Sequence, residues 1–367
     1  MIAIIMGTRP EIIKMAPVVR ELQKRSLDFF ILHTGQHYTY NMDKLFYEQL
    51  SLPLPKYDLG IKSTSPMLQS EHTGRMLIRI EEILLKEIQQ TVLVEGDTNT
   101  VLAGSICVSK LKTSPINLNI NLGHVEAGLR SFDRTMTEEL NRIVSDHLSD
   151  YLFVPTKIAK DNAMKEGVPE NKIYITGNTI VDAVYENIKT AEKSDILDKL
   201  GLQKKNYFLV TAHRQENVDD KIKLQGIIDG LDKLQKEFNI EVIYPMHPRT
   251  KKMIEKFKIS VPSTIRTIEP VGFFELLQLE ANAKLTLTDS GGLQEESCIM
   301  KVPCVTLREN TERPETLEIG CNILAGTNPD KILECAKIML DKKIVWQNPF
   351  GNGDAGKKIV DIITKFN

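Results

Sequence analysis

The 367-residue chain is 41% hydrophobic, enough for ordinary cores, and its length suggests two domains. Its 47 Lys and Arg and 49 Asp and Glu are spread along the sequence for a net charge of −2, which argues against nucleic acid or an anionic membrane as the main partner. Five cysteines (Cys107, Cys298, Cys304, Cys321 and Cys335) form no C-x-x-C, so reduced thiols in a cytoplasmic protein are expected, with no disulfide framework and no zinc site.

The first apolar run, Ile2 to Met6, meets Arg9 and Glu11 at once and is too short for a signal-peptide core. No stretch approaches about 18 apolar residues, so no membrane span is expected. "IAIIM" reads as a buried strand and "PEIIKMAPVVRELQKR" as a helix with apolar residues at helical spacing. "FFILH" is a strand, "NMDKLFYEQL" a helix, and "PMLQSEHTGRMLIRIEEILLKEI" a long amphipathic helix. "TVLVEGD", "LNINLGHVEAG" and "YLFVPT" read as strands with their loops; "TNTVLAGSICVSKL" and "MTEELNRIVSDHLS" are the helices between them. Strands that are apolar throughout and alternate with helices imply a parallel sheet covered on both faces.

The second half repeats this pattern. Strands are expected at "YFLVTAHR", "EVIYPMHP", "TIRTIEP", "KLTLTDSGG", "PCVTLRE" and "CNILAG", with helices between them. The reading is two doubly wound α/β domains: residues 1–170, then residues 171–353, with a final helix over 354–367 that packs back on the first domain. Gly and Pro punctuate the chain near that boundary.

Polar residues gather just after the strands, where open α/β sheets bind ligands. In "DSGGLQEES", Ser290, Gly291 and Gly292 open a helix whose free N–H groups attract a phosphate, and Glu296 can accept from a ribose diol. An ordinary N-cap with acidic first-turn residues is the alternative. In "GTRPEIIK", Arg9 stands at a helix start, where a cation opposes the dipole and implies an anion; Lys14 follows about one turn on. Asp97 ends a strand, with Thr98 or Asn99 able to cap the next helix. "GHVEAGLRSFD" carries His124, Glu126 and Arg130, and "TEELNR" carries Glu138, Glu139 and Arg142, with Thr135 or Thr137 as the expected cap. H-x-E without a following P-C-x-x-C gives no metal chemistry. His213 and His247 end adjacent strands of the second half, and Arg308 and Arg313 lie in a loop after another. Cations suit a diphosphate, and carboxylates suit proton transfer at a sugar carbon.

The motifs "GTRPEIIK", "EGDTNT", "HVEAGLRS", "TEELNR", "TAHRQEN", "DSGGLQEE" and "TERPE" occur in the order found in the non-hydrolysing UDP-N-acetylglucosamine 2-epimerases, and the chain resembles that family over nearly its whole length. The resemblance implies the GT-B fold, two Rossmann-like domains with the substrate in the cleft between them. It implies interconversion of UDP-N-acetylglucosamine and UDP-N-acetylmannosamine without metal or other cofactor, usually by a homodimer. The implied route eliminates UDP to leave 2-acetamidoglucal and then adds it back. Asp97, Glu126, Glu138 and His213 match catalytic positions. Arg9, Lys14, Arg142, Ser290, Gly291, Gly292, Glu296 and Arg313 match substrate-binding ones. One position departs: bacterial members often read Gln-His-Arg in a segment that helps bind a second, activating substrate, and here Tyr38 replaces that Arg. Two rivals share the nucleotide site. A retaining GT-B glycosyltransferase needs an acceptor, and a sugar-nucleotide sensor binds without turnover.

Overall fold

A computed structural model of the chain describes residues 1–35, 46–61, 69–87, 89–115 and 118–365. Tyr38, the first half of the expected 41–50 helix and the first residues of the expected 66–88 helix lie outside the described residues. The chain divides into two compact units, residues 1–183 with 350–367, and residues 184–349.

The first unit runs β1 (Ile2–Met6), α1 (Arg9–Lys24), β2 (Phe29–His33), β3 (Tyr57–Asp58), α2 (Gln69–Leu84), β4 (Thr91–Glu95), α3 (Asn99–Thr113), β5 (Asn121–Val125), α4 (Thr137–Leu148), β6 (Tyr151–Val154), α5 (Lys157–Lys165), β7 (Ile173–Ile175) and α6 (Thr179–Ala191), the last continuing into the second unit. Its strands pair in parallel in the order β3-β2-β1-β4-β5-β6-β7. The order reverses between β1 and β4, so the loops after those strands flank the switch point where such sheets bind ligands. β1 and β4 are buried along their whole length, as strands covered by helices on both faces must be.

Gly7 makes the turn from β1 into α1 possible. A Cβ there would stand 2.0 Å from Thr34 Oγ1 and 2.4 Å from Thr100 Oγ1, two hydroxyls that are themselves hydrogen-bonded at 2.8 Å. Only glycine lets the start of α1 come this close to the sheet.

The second unit runs α7 (Ile196–Leu200), β8 (Tyr207–Thr211), α8 (Gln215–Val218), α9 (Lys221–Phe238), β9 (Glu241–Pro245), α10 (Pro248–Phe257), β10 (Ile265–Ile268), α11 (Phe273–Asn282), β11 (Leu285–Thr288), α12 (Gly291–Ile299), β12 (Cys304–Thr306), α13 (Pro314–Glu318), β13 (Asn322–Leu324) and α14 (Pro329–Asp341). Its parallel sheet has the order β10-β9-β8-β11-β12-β13, again with the reversal beside its first strand. The core between α9, α14 and the sheet is aliphatic, built on Val210, Leu224, Ile227, Leu231, Leu287 and Ile332.

The units divide later than the expected 170/171 boundary. β7 adds to the edge of the first sheet, and the Asn178 N–H bonds the Phe350 carbonyl at 2.7 Å, which keeps the stretch up to residue 183 with the first unit. The last helix, α15 (Ala355–Lys365), returns to this unit. The Asp182 carboxylate accepts its first N–H groups, Ala355 at 3.2 Å and Gly356 at 3.0 Å, and Arg25 of the α1 terminus pairs with Asp361 at 2.7 Å. Among the described residues, no helix is long and apolar enough to cross a membrane.

Candidate active site

The sequence-marked residues of the first unit lie at the carboxyl ends of β1, β4 and β5. Glu11, in the first turn of α1, folds back on its own loop. Its buried carboxyl accepts from the Gly7 N–H, the Thr8 N–H at 2.9 Å and the Thr98 hydroxyl. Burial pushes this carboxyl up to about 7, against the pull of those donors and of His33. Arg9 begins α1 with its guanidinium 4.9 Å from the centre of the Phe46 ring, which props it by a cation–π contact.

The Lys14 ammonium is held between two carboxylates, 2.6 Å from Glu126 and 3.2 Å from Glu95. Glu126 also accepts from the Asn178 amide at 2.9 Å. Its backbone lies in the left-handed region at φ +65°, a conformation that costs of order 1–3 kcal/mol in a non-glycine residue and concentrates at functional sites. Burial drives the Glu95 carboxyl well above its ordinary range. Lys14 opposes this, while the nearby Glu126 and Glu11 add to it. The result is an ammonium shared by Glu126 and by a Glu95 that favours its neutral form.

Asp97 is not the cap of α3; the Thr98 side chain takes that place, accepting from the Val101 N–H at 3.4 Å. Asp97 instead pairs with the buried Arg142, whose Nε and second terminal nitrogen reach Oδ2 at 2.9 and 2.8 Å. The same guanidinium holds Glu139 at 2.6 Å. Neither Thr135 nor Thr137 caps α4, whose N-cap is Met136 with no side-chain bond. Glu139 turns back to accept from the Ser131 and Phe132 N–H groups at 3.0 and 2.9 Å, so it fixes the loop before the helix. Glu138 stands beside it in the same turn, half-buried.

Beneath this rim lies a network the motifs only partly signalled. Both ring nitrogens of the fully buried His124 face acceptors, Asp146 Oδ1 and the Gly96 carbonyl, each at 2.7 Å. Asp146 also holds Arg130 at 2.7 Å and the Gly128 N–H at 3.1 Å. His124 and Arg130 are therefore struts of the β5 loop rather than its reactive groups.

In the second unit Asp289 organises the loops. Fully buried, it accepts from the His213 N–H at 3.0 Å, the Arg214 N–H at 2.9 Å and the Asn217 amide at 3.2 Å. This fixes the backbone of His213 beside Ser290, the N-cap of α12. The His213 ring lies 5.4 Å from the ring of His247, which caps α10 by accepting from the Arg249 N–H at 3.2 Å. Ser290 makes no side-chain cap bond, and Gly291 and Gly292 open the helix with bare backbone. Arg313 is buried and bonds Glu295 at 2.8 Å; Arg308 and Arg214 converge on Glu312 at 2.8 and 3.3 Å. Arg313 thus braces α12 from behind. Glu296 is 9% exposed; burial and then the charge of Glu296 push the completely buried Glu280 carboxyl of α11 well above its ordinary range.

A Cβ on Gly291 would stand 2.3 Å from Glu312 Oε1, a carboxylate held in place by two arginines. Gly291→Ala should therefore destabilise the second unit by about 1–3 kcal/mol through overpacking. Urea unfolding followed by the fluorescence of Trp346, which is buried in this unit, checks it; an unchanged midpoint would show that Glu312 yields freely.

The family model for UDP-N-acetylglucosamine 2-epimerase matches residues 20–364. The chain belongs to the UDP-N-acetylglucosamine 2-epimerase family. It is 53% identical to the epimerase of that name from Methanocaldococcus jannaschii, covering 99% of this chain and 98% of the relative. A crystal structure of the M. jannaschii enzyme in complex with UDP-GlcNAc and UDP matches with a TM-score of 0.92 over 99% of both chains. A more distant family member, UDP-2,3-diacetamido-2,3-dideoxy-D-glucuronate 2-epimerase from Pseudomonas aeruginosa, is 39% identical over 98% of both chains. With two doubly wound parallel-sheet units in the chain, the fold class of this epimerase family member is GT-B.

Proposed function

We propose that this chain interconverts UDP-N-acetylglucosamine and UDP-N-acetylmannosamine, inverting C2 without net hydrolysis. The observation that carries the reading is full-length similarity, at 53% identity, to an epimerase whose crystal structure holds UDP-GlcNAc and UDP. The C2 proton is not next to a carbonyl, so direct deprotonation is not feasible at neutral pH. Elimination of UDP, with C1–O cleavage and loss of the C2 proton, gives 2-acetamidoglucal; UDP then re-adds to C1 with its configuration kept while a proton is returned to the opposite face of C2, which completes the inversion. The route is redox-neutral and asks for no nicotinamide.

The local geometry within each unit supports these roles. In the first unit Arg9, and in the second His213 and the bare start of α12 at Ser290, Gly291 and Gly292, are groups suited to stabilising a departing diphosphate. Glu126, Asp97 and Glu138 are the groups for proton transfer at C2. Lys14 acts through Glu126, since its ammonium is engaged there, and Arg142 acts by orienting Asp97. Glu296 takes the ribose hydroxyls, and Arg313 acts by holding α12 through Glu295. The same reading places a homodimer in the cytoplasm.

A proton NMR time course with UDP-GlcNAc in D2O tests the function. UDP-ManNAc should form with no acceptor present and carry deuterium at C2. Product with full C2 protium would exclude the elimination route, and free ManNAc with UDP would show a hydrolysing enzyme. Turnover only of a 2,3-diacetamido uronic acid nucleotide would move the chain to the specificity of its more distant relative.

A further inference from the structure

Asn178 stands buried between β7 and α6, and both its backbone and its side chain are engaged. Its backbone N–H donates to the Phe350 carbonyl at 2.7 Å, and its backbone carbonyl accepts from the Val181 N–H at 3.0 Å. Its side-chain oxygen accepts from the Ile180 N–H at 3.2 Å, the bond of a helix N-cap. That bond identifies the oxygen, so the other end of the amide is the NH2 group, and it donates to Glu126 Oε2 at 2.9 Å. Asn178 thereby joins two stretches of chain. α6 begins at Thr179 and carries the chain out of the first unit after Ala183, and Phe350 is the first residue to return to that unit. Gly177, at φ +85°, allows the approach, since a Cβ there would stand 2.9 Å from the Phe350 carbonyl oxygen.

The Glu126 carboxylate gains from this amide something Lys14 does not supply. The Lys14 bond, at 2.6 Å, also falls on Oε2. An ammonium on a flexible four-carbon stem is a point charge, which binds a carboxylate oxygen without fixing the carboxylate plane, and this one also lies 3.2 Å from Glu95. A planar amide locked by its own cap has a set direction. Proton transfer at carbon depends on such direction, because a misplacement of about 1 Å can cost about 100-fold in rate. We infer that Asn178 is a positioning residue for proton transfer at C2: its cap on α6 and its bond to Phe350 fix the amide, and the amide aims the Glu126 carboxylate. This rests on Glu126 being a proton-transfer group.

A double-mutant cycle of Asn178→Ser with Glu126→Gln tests the inference, read as steady-state epimerisation of UDP-GlcNAc and as calorimetric UDP affinity. Serine keeps a cap for α6 but ends one atom short of the amide nitrogen, so the donor to Glu126 is what it removes. Asn178→Ser should lower kcat by about 10–100-fold, the scale of a buried hydrogen bond to a charged group. UDP affinity should stay within about twofold of the wild type, which is the signature of a group that serves the chemical step. In the Glu126→Gln background the same substitution should change the residual rate by less than about twofold, since the carboxylate it aims is gone. A merely structural defect would slow both backgrounds alike. Asn178→Thr, which also keeps a cap, repeats the cycle if the serine variant does not fold. A kcat within about twofold of the wild type, equal slowing in both backgrounds, or loss of the fold in both cap-preserving variants would overturn the inference alone. Near wild-type turnover of Glu126→Gln would overturn the reading of Glu126 and the inference with it.

Discussion

Glu126→Gln should slow turnover by about 10²–10⁴-fold, the usual contribution of a positioned acid–base group, while leaving UDP affinity close to that of the wild type. The amide keeps the size of the side chain and its contact with Asn178, but it cannot take a proton from C2. The fold should survive the change because Glu95 is 3.2 Å from the same ammonium. With the Glu126 charge gone, one of the groups that raise the Glu95 carboxyl is removed, and Glu95 can ionise to serve Lys14 in its place. Asp97→Asn and Glu138→Gln should each slow turnover by the same order, and the products separate the roles. A variant blocked only in re-addition leaks 2-acetamidoglucal and UDP, whereas one blocked in elimination yields neither. Chromatographic product analysis beside UDP calorimetry measures both. Near wild-type turnover of Glu126→Gln would sink the assignment, and loss of UDP binding would mark the residue as structural.

Much of the architecture is legible in the sequence because buried parallel strands have little choice of residue. "IAIIM" is apolar at every position and "TVLV" at all but its first, with no polar residue at alternate positions as a half-exposed strand would have. The unit boundary was less legible. β7 is three residues long and follows Gly-Pro punctuation that reads as a linker, and only its pairing with β6 assigns it to the first sheet. The site divides in the same way. Asp97, Glu126 and His213 stand in loops after strands, and Arg9 opens the helix after one, where a polar residue is conspicuous. Glu11 carries a readable sign, the T-x-x-E of a capping box, but not the burial that shifts its carboxyl. Glu95 ends an apolar strand and Asn178 stands just before a helix, so both read as ordinary polar positions. What makes them matter is contact across the fold. Lys14 and Glu126 are 112 residues apart, and no local pattern announces that an ammonium serves two carboxylates.

Asp146→Ala should cost the first unit about 3–5 kcal/mol, the penalty for removing one partner of a buried ion pair. Asp146 is fully buried and holds three donors at once: His124 Nδ1, the Arg130 guanidinium and the Gly128 N–H. Without it Arg130 keeps Glu166, at 2.6 Å, but His124 keeps only the Gly96 carbonyl, and a buried cation loses its fully buried counter-charge. The loss should extend to the chemistry. Gly96 lies between Glu95 and Asp97, and Gly128 lies two residues after Glu126, so the strut that fails supports both loops of proposed acid–base groups. The acid response gives an independent check. Burial opposes ionisation of Asp146, but His124 and Arg130 outweigh it and hold the carboxyl below its ordinary value of 3.8. A depressed carboxyl contributes stability that is fully present above its unfolded value and is lost as pH falls through the folded one. The variant should therefore be less stable near neutral pH and show a shallower loss of stability as the pH falls below about 4. Urea unfolding by circular dichroism at both pH values measures this, with Trp346 fluorescence reporting separately on the second unit. A neutral-pH midpoint equal to wild type, or an acid slope unchanged by the substitution, would show that the His124–Asp146–Arg130 cluster contributes nothing to the fold.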